Sequence, residues 1–177
     1  SSSTFFLPYR SSVGSPRILR LPNNDVRTAP EYGTANGPGG GATPIADDLF
    51  LSSGNIYRVS WDGTSAYGTG IVASGIAAFG TLTPNPYYSG ERLLPVRRTS
   101  TGEAALFMVS GNSVRTATNV PTGSTPLGAD FFASNGTIYQ DVSGGVASSV
   151  SAYGAAGPAA FGSNKVTVPF TVSSSSC

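Results

Sequence analysis

The sequence predicts an all-β fold built from two tandem homologous β units, each a small sandwich or barrel, with no substantial helix. Three observations lead there. The 177 residues include 23 Gly and 13 Pro, which interrupt helices and favour short strands joined by tight turns. Apolar and polar residues alternate in short runs between turn signals, and no stretch keeps a helical period over three turns. One ten-residue phrase occurs twice, as DLFLSSGNIY from Asp48 to Tyr57 and as DFFASNGTIY from Asp130 to Tyr139.

The elements follow in chain order. Arg17 to Leu21 reads as a strand. Leu49 to Leu51 reads as another, Ser53-Gly54-Asn55 turns, Ile56 to Trp61 returns, and Asp62-Gly63 turns again. Ala105 to Val109 is a further strand. Phe131-Phe132, Ser134-Asn135-Gly136 and Thr137 to Val142 then repeat the earlier hairpin. Asn-Gly suits a type I′ turn, whose two central residues both need positive φ. Lys165 to Val172 alternates Val166, Val168 and Phe170 with polar neighbours and reads as a last strand.

The repeat extends beyond the hairpin. Thr43-Pro44 matches Thr125-Pro126, and Ala77-Ala78-Phe79-Gly80 matches Ala159-Ala160-Phe161-Gly162, at the 82-residue offset that separates Asp48 from Asp130. Ser65-Ala66-Tyr67-Gly68 meets Ser151-Ala152-Tyr153-Gly154 after a small insertion. Val26-Arg27-Thr28-Ala29 meets Val114-Arg115-Thr116-Ala117 once the glycine-rich Pro38 to Gly41 is gapped, and Pro8-Tyr9-Arg10 meets Pro95-Val96-Arg97. Chains rich in Gly, Ser and Ala resemble one another cheaply, but the matched positions here include Arg, Asp, Tyr and Phe. The units expected are residues 1–88 and 89–177.

Composition narrows the function. Only 11% of residues are charged and the net charge is +1, so neither nucleic acid nor an anionic membrane is an expected partner. No apolar run approaches the roughly 18 residues of a membrane helix, and a soluble protein is expected. The first residue is Ser and no signal-peptide pattern follows, which suggests processing or routine removal of an initiator Met. Cys177 is the sole cysteine, so packing or assembly must supply the stability that disulfides give elsewhere.

No cofactor and no enzymatic activity are expected. Without histidine there is no Ser-His-Asp or Cys-His arrangement and no histidine-ligated metal. Gly37 to Gly41 lacks the following Lys-Ser/Thr of a phosphate-binding loop. Asp47, Asp48, Asp62, Asp130 and Asp141 are candidates for acid–base work, but Asp48 and Asp130 hold the same place in each copy, which fits a structural role. Asp47 and Asp48 could bind calcium jointly only if both faced one way, and adjacent strand residues do not. Asn135-Gly136-Thr137 is a formal N-glycosylation acceptor that coincides with the turn. Arg92, Arg97 and Arg98, opposed by Glu91, form the one basic cluster and read as a solvated face or an interface ion pair.

Among charged residues, Arg10/Arg97, Arg27/Arg115 and Asp48/Asp130 recur at matched positions. An Arg–carboxylate pair can hold one strand against another, so intra-unit bridges from Arg27 to Asp48 and from Arg115 to Asp130 are expected. Phe5, Phe6, Leu7, Tyr57, Trp61, Tyr87 and Tyr88 are candidate assembly contacts, because such residues fill β cores or subunit interfaces more often than they form sugar-stacking platforms.

The stretches PLGADFFASNGTIYQDVSG and VSAYGAAGPAAFGSNKVTVPF resemble the short hairpin-rich modules of tailed-bacteriophage virion proteins. The resemblance covers both copies and implies a head-decoration, fibre or tail-associated subunit, all-β and oligomeric, located in the virion. Its partners would be copies of itself and other subunits, with a glycan on the host surface as a further candidate. Two alternatives stand beside it. One is an extracellular carbohydrate-binding module, with Trp61 and Tyr57 exposed together. The other is a prokaryotic surface filament, in which SSSTFFLPYR would enter the next subunit as a donated strand.

Overall fold

A computed structural model describes residues 4–22, 27, 29–34, 37–62, 65–141, 148–151, 153–157, 159–162 and 165–172. Residues 1–3, Val26, Thr28, Gly63, Val142, Ala152 and Cys177, on which parts of the sequence reading rest, lie outside them. The described residues are all-β, with no α-helix among them. The chain divides into two compact units, Ser1–Ser74 and Gly75–Cys177.

The described residues of the first unit form two sheets. Strands β1 (Thr4–Arg10), β2 (Pro16–Pro22) and β3 (Glu31–Gly33) form an antiparallel sheet in that order. Strands β4 (Thr43–Ala46), β5 (Leu49–Ser52), β6 (Asn55–Trp61) and β7 (Ala66–Ser74) form a four-stranded meander. The two sheets share one apolar cluster. Ile18 from β2, Ala42, Phe50 from β5, Val59 from β6 and Ala66 from β7 are buried in it, with Phe6, Tyr32 and Trp61 packed at its margin.

In the second unit, β8 (Ile76–Phe79) and β9 (Thr83–Pro84) both pair with β10 (Arg92–Arg98), which continues to β11 (Ala104–Met108) and β12 (Ser113–Thr116). A second meander runs through β13 (Thr125–Gly128), β14 (Phe131–Ser134), β15 (Thr137–Gln140) and β16 (Ser148–Ser151). Strand β17 (Tyr153–Ala156) pairs with β20 (Phe170–Val172), and β18 (Ala160–Gly162) pairs with β19 (Lys165–Thr167). The single strand expected over Lys165 to Val172 is thus two short ones, parted at Val168-Pro169, where proline has no N–H to give a ladder. Ala104, Leu106, Ala117 and Phe132 form the cluster equivalent to that of the first unit, and Leu127, Ile138 and Ala159 form another.

The meanders are alike in detail. Leu51 faces Ile56 and Phe50 faces Tyr57, as Ala133 faces Ile138 and Phe132 faces Tyr139. Register shifts between Pro44 and Ala46, and again between Pro126 and Gly128. The hairpin tips Ser53-Gly54 (φ 48° and 75°) and Asn135-Gly136 (φ 46° and 72°) both place two residues at positive φ, as a type I′ turn requires. The bend before each hairpin uses Asp47 at φ 51° and Ala129 at φ 50°.

The division between units differs from the one the repeat suggested. Residues 75–84 belong to the first copy by sequence, yet β8 and β9 pair with β10 of the second unit, so the boundary falls after Ser74 and not after Tyr88. The hand-over is tight. Gly80 N–H donates to the Pro95 carbonyl at 2.9 Å, Thr81 N–H donates to the Leu127 carbonyl at 2.9 Å, and a methyl built on Gly80 would lie 2.6 Å from that Leu127 oxygen. Gly80→Ala is therefore expected to push β8 off its seat and destabilise the protein by about 1–3 kcal/mol in a urea melt, the usual range for overpacking. An unchanged midpoint would show that the seat is looser than described.

Candidate functional site

The residues singled out by the repeat, Asp48 and Asp130, open β5 and β14 just after the positive-φ bend. In each copy the aspartate's backbone carbonyl accepts from the strand that returns: Val59 N–H to Asp48 O at 2.8 Å, and Asp141 N–H to Asp130 O at 2.9 Å. Both aspartates are therefore held by main chain before their side chains are considered.

The side chains take partners that charge recurrence did not point to. Asp48 pairs with Arg58 on β6 (Nε to Oδ2, 3.7 Å), where Arg27 was expected. The residue at the same offset in the second copy is Gln140 on β15, and its Nε2 lies 3.3 and 3.5 Å from the Asp130 carboxylate oxygens. Asp48 with Arg58 and Asp130 with Gln140 are thus one contact written in two chemistries, a residue ten positions downstream of each aspartate. Arg and Gln are not identical, so a search for recurring charges passes over the pair.

Arg115 does not bridge to Asp130. Its Nη2 lies 2.7 Å from Asp141 Oδ2, and Asp141 is only 1% exposed. Asp141 stands at the position of Val59 in the first copy, which is an apolar core residue there. The second unit thereby places a charge where the first places a methyl pair, and Arg115 answers it. Asp141 Oδ1 also accepts from Thr118 N–H at 3.0 Å.

Tyr87 completes the cluster. Its hydroxyl donates to Asp130 Oδ2 at 3.1 Å and accepts from Gln140 Nε2 at 2.9 Å. These groups surround a cavity of about 40 Å³ lined also by Leu93, Leu106 and Met108. That volume suits a water molecule, and no substrate of ordinary size fits it. Burial raises the Asp130 carboxyl above its ordinary 3.8, partly offset by the Tyr87 hydrogen bond. Burial together with the Asp130 charge pushes the Tyr87 hydroxyl up to about 12. Burial raises Asp48 as well, against the pull of Arg58.

The candidate assembly residues separate into two groups. Phe5 (52% exposed), Leu7 (51%), Tyr87 and Tyr88 lie at the surface. Phe6 and Trp61 face the first unit's core instead, with ring centroids 5.3 Å apart, Tyr32 4.5 Å from Trp61, and the Arg20 guanidinium 5.7 Å from the indole. Tyr57 is half-buried on β6 opposite Phe50 and Ile71. The basic cluster is also tied inward: Arg97 donates to the Gly123 carbonyl and Arg98 to the Val114 carbonyl, while Glu91 accepts from the backbone N–H groups of Arg92 and Ser110. Among the described residues no group of three or more His, Cys, Asp or Glu side chains is placed to hold a metal ion. No protein-family model, curated protein or solved structure matches the chain.

Two outcomes test the cluster. A carboxyl whose folded pKa lies above its unfolded value costs stability once ionised, so stability falls as pH rises from about 3.8 through the folded value. Asp130→Asn removes that loss, so relative to the parent it is expected to gain urea resistance between pH 4 and pH 7; a constant difference would count against a buried, destabilised carboxylate. Arg115→Ala leaves the Asp141 charge buried without its cation and is expected to cost about 1–3 kcal/mol, allowing for the half-exposed guanidinium. Arg115→Ala matching the parent in a thermal melt would sink that assignment.

Proposed function

We propose that this chain is a non-enzymatic structural subunit of a symmetric assembly, and that its setting is a bacteriophage virion, as capsid decoration or as a fibre or tail component. The observation that carries the reading is strand β1. It pairs with β2 along its whole length, from Thr4 opposite Pro22 to Arg10 opposite Pro16, and among the described residues no strand is hydrogen-bonded to its other edge. Phe5 and Leu7 stand half-exposed on that strand. An exposed edge strand with apolar side chains is a template for pairing with another chain.

The cluster around Asp130 and Asp141 is tied within the fold, Tyr87 donating to Asp130 and Arg115 pairing with Asp141, which gives both carboxylates a structural role. A carbohydrate-binding module would draw on Trp61 and Tyr57 as a stacking surface. Trp61 is engaged by Phe6, Tyr32 and Arg20 within its own unit, which removes it from a stacking surface and from the assembly contacts alike. A surface filament shares the structural role and differs in origin; in it, Thr4–Arg10 would be the strand that receives a neighbour, since it is already paired within its own unit.

Native mass measurement over a range of concentrations tests the proposal. Discrete oligomers that grow with concentration are expected. A monomer at every concentration, with measurable affinity for a sugar, would replace this reading with the binding module.

A further inference from the structure

The two copies treat their first sheet differently, and the difference identifies a partner. In the second unit, β10 is paired on both sides, by β11 on one edge and by β8 and β9 on the other. By the sequence repeat, β1 is the counterpart of β10: Leu7 corresponds to Leu94, Pro8 to Pro95, Tyr9 to Val96 and Arg10 to Arg97. Leu94 and Val96 are fully buried, whereas Leu7 is 51% exposed. Strand β1 is therefore a β10 without its β8.

The covering segment has a counterpart too. Ala78-Phe79-Gly80 corresponds to Ala160-Phe161-Gly162, which is β18. On β10, Phe79 lies opposite Val96 and Ala78 opposite Arg97, and Gly80 N–H donates to the Pro95 carbonyl. Strand β18 instead forms a two-stranded hairpin with β19, Ala160 opposite Thr167 and Gly162 opposite Lys165. Ala159, just before β18, donates its N–H to the Leu127 carbonyl at 3.4 Å and is buried with Leu127 and Ile138, so the hairpin is seated on its own unit at that end. Among the described residues there is thus one acceptor edge with no strand hydrogen-bonded to it, one donor segment paired on one side only, and a completed example of the joint between such strands. The surroundings of the two acceptors also agree, since β1 neighbours β4 as β10 neighbours β13.

We propose that β18 of one chain adds to the free edge of β1 of a second copy, antiparallel, with Phe161 opposite Tyr9, Ala160 opposite Arg10, and Gly162 N–H donating to the Pro8 carbonyl. The joint rests on the structural-subunit reading above and names its partner: another copy of this chain. It repeats between molecules the pairing of β8 with β10 within one molecule. Donor and acceptor are different surfaces, so the contact is heterologous and propagates head to tail into a ring or a filament. Main-chain pairing supplies affinity, and burial of Leu7 adds to it.

Disulfide trapping between two different chains tests the joint. Arg10→Cys and Ala160→Cys, each exposed and each made with Cys177→Ser, are prepared separately, mixed, and oxidised mildly. Directly opposed residues of antiparallel strands approach within reach of a disulfide. A covalent dimer is expected in the mixture and in neither variant alone. Leu7→Lys, on the same edge and already half-exposed, is expected to raise the concentration needed for assembly by tenfold or more while leaving the thermal melt of the dilute protein unchanged. Oligomers of unaltered size without the mixed disulfide would overturn this joint and leave the assembly reading standing. A monomer at every concentration would overturn both. In a third variant that carries both cysteines, a disulfide forming only within the chain, with none in the mixture of single variants, would overturn the joint by showing that the chain closes on itself.

Discussion

Backbone pairing along β10 is the constraint on which the second unit depends. Its residues Leu93 to Val96 are buried, so their peptide C=O groups, and the N–H groups of all but Pro95, have little access to water and must find partners in protein. One edge is answered locally by β11, after the short turn at Thr99 to Glu103. The other is answered by residues that the repeat assigns to the preceding copy. That second pairing brings Gly80 and Thr81 against Leu127, and so ties the first sheet of the unit to its meander through main chain. A residue with a side chain at Gly80 or at Gly128 would meet its neighbours at 2.6 and 2.5 Å, which explains why both positions are glycine.

Within each meander the same economy governs the aspartates. Asp48 and Asp130 serve first through their backbone carbonyls, which accept from the returning strand, and only then through carboxylates that are partly desolvated. Burial opposes ionisation in both. One copy relieves it with a guanidinium from Arg58, the other with the Tyr87 hydroxyl and the Gln140 amide. The second copy carries the further charge of Asp141 at a core position and balances it with Arg115. A pair whose carboxylate is buried adds little net stability but is costly to break, so it favours one arrangement of strands over others.

Much of this was legible from residues alone. The hairpins at Ser53-Gly54 and Asn135-Gly136 fell where turn chemistry placed them, and strands over Arg17 to Leu21, Ile56 to Trp61 and Ala105 to Val109 formed within a residue or so of their expected ends. Other features were not legible. The partner of Asp48 was hidden because its counterpart Gln140 differs in type from Arg58, and a search restricted to matching charges cannot see a contact that changes chemistry between copies. Trp61 and Phe6 read as candidate assembly contacts, filling either a β core or a subunit interface, because single strands do not reveal which face meets a second sheet; the structure places them against the core.

What the sequence by itself determined is local: the all-β class, the type I′ tips and the positions that recur 82 residues apart. These depend on positive-φ tolerance, side-chain alternation and chain entropy, all of which act over a few residues. The tertiary structure alone decided that β8 pairs with β10, that the unit boundary follows Ser74, and that Asp141 is the carboxylate facing Arg115. A strand edge carries no address in its own residues. Which segment comes to satisfy it is settled by the sheets and glycines that surround it, and those are brought together only when the chain has folded.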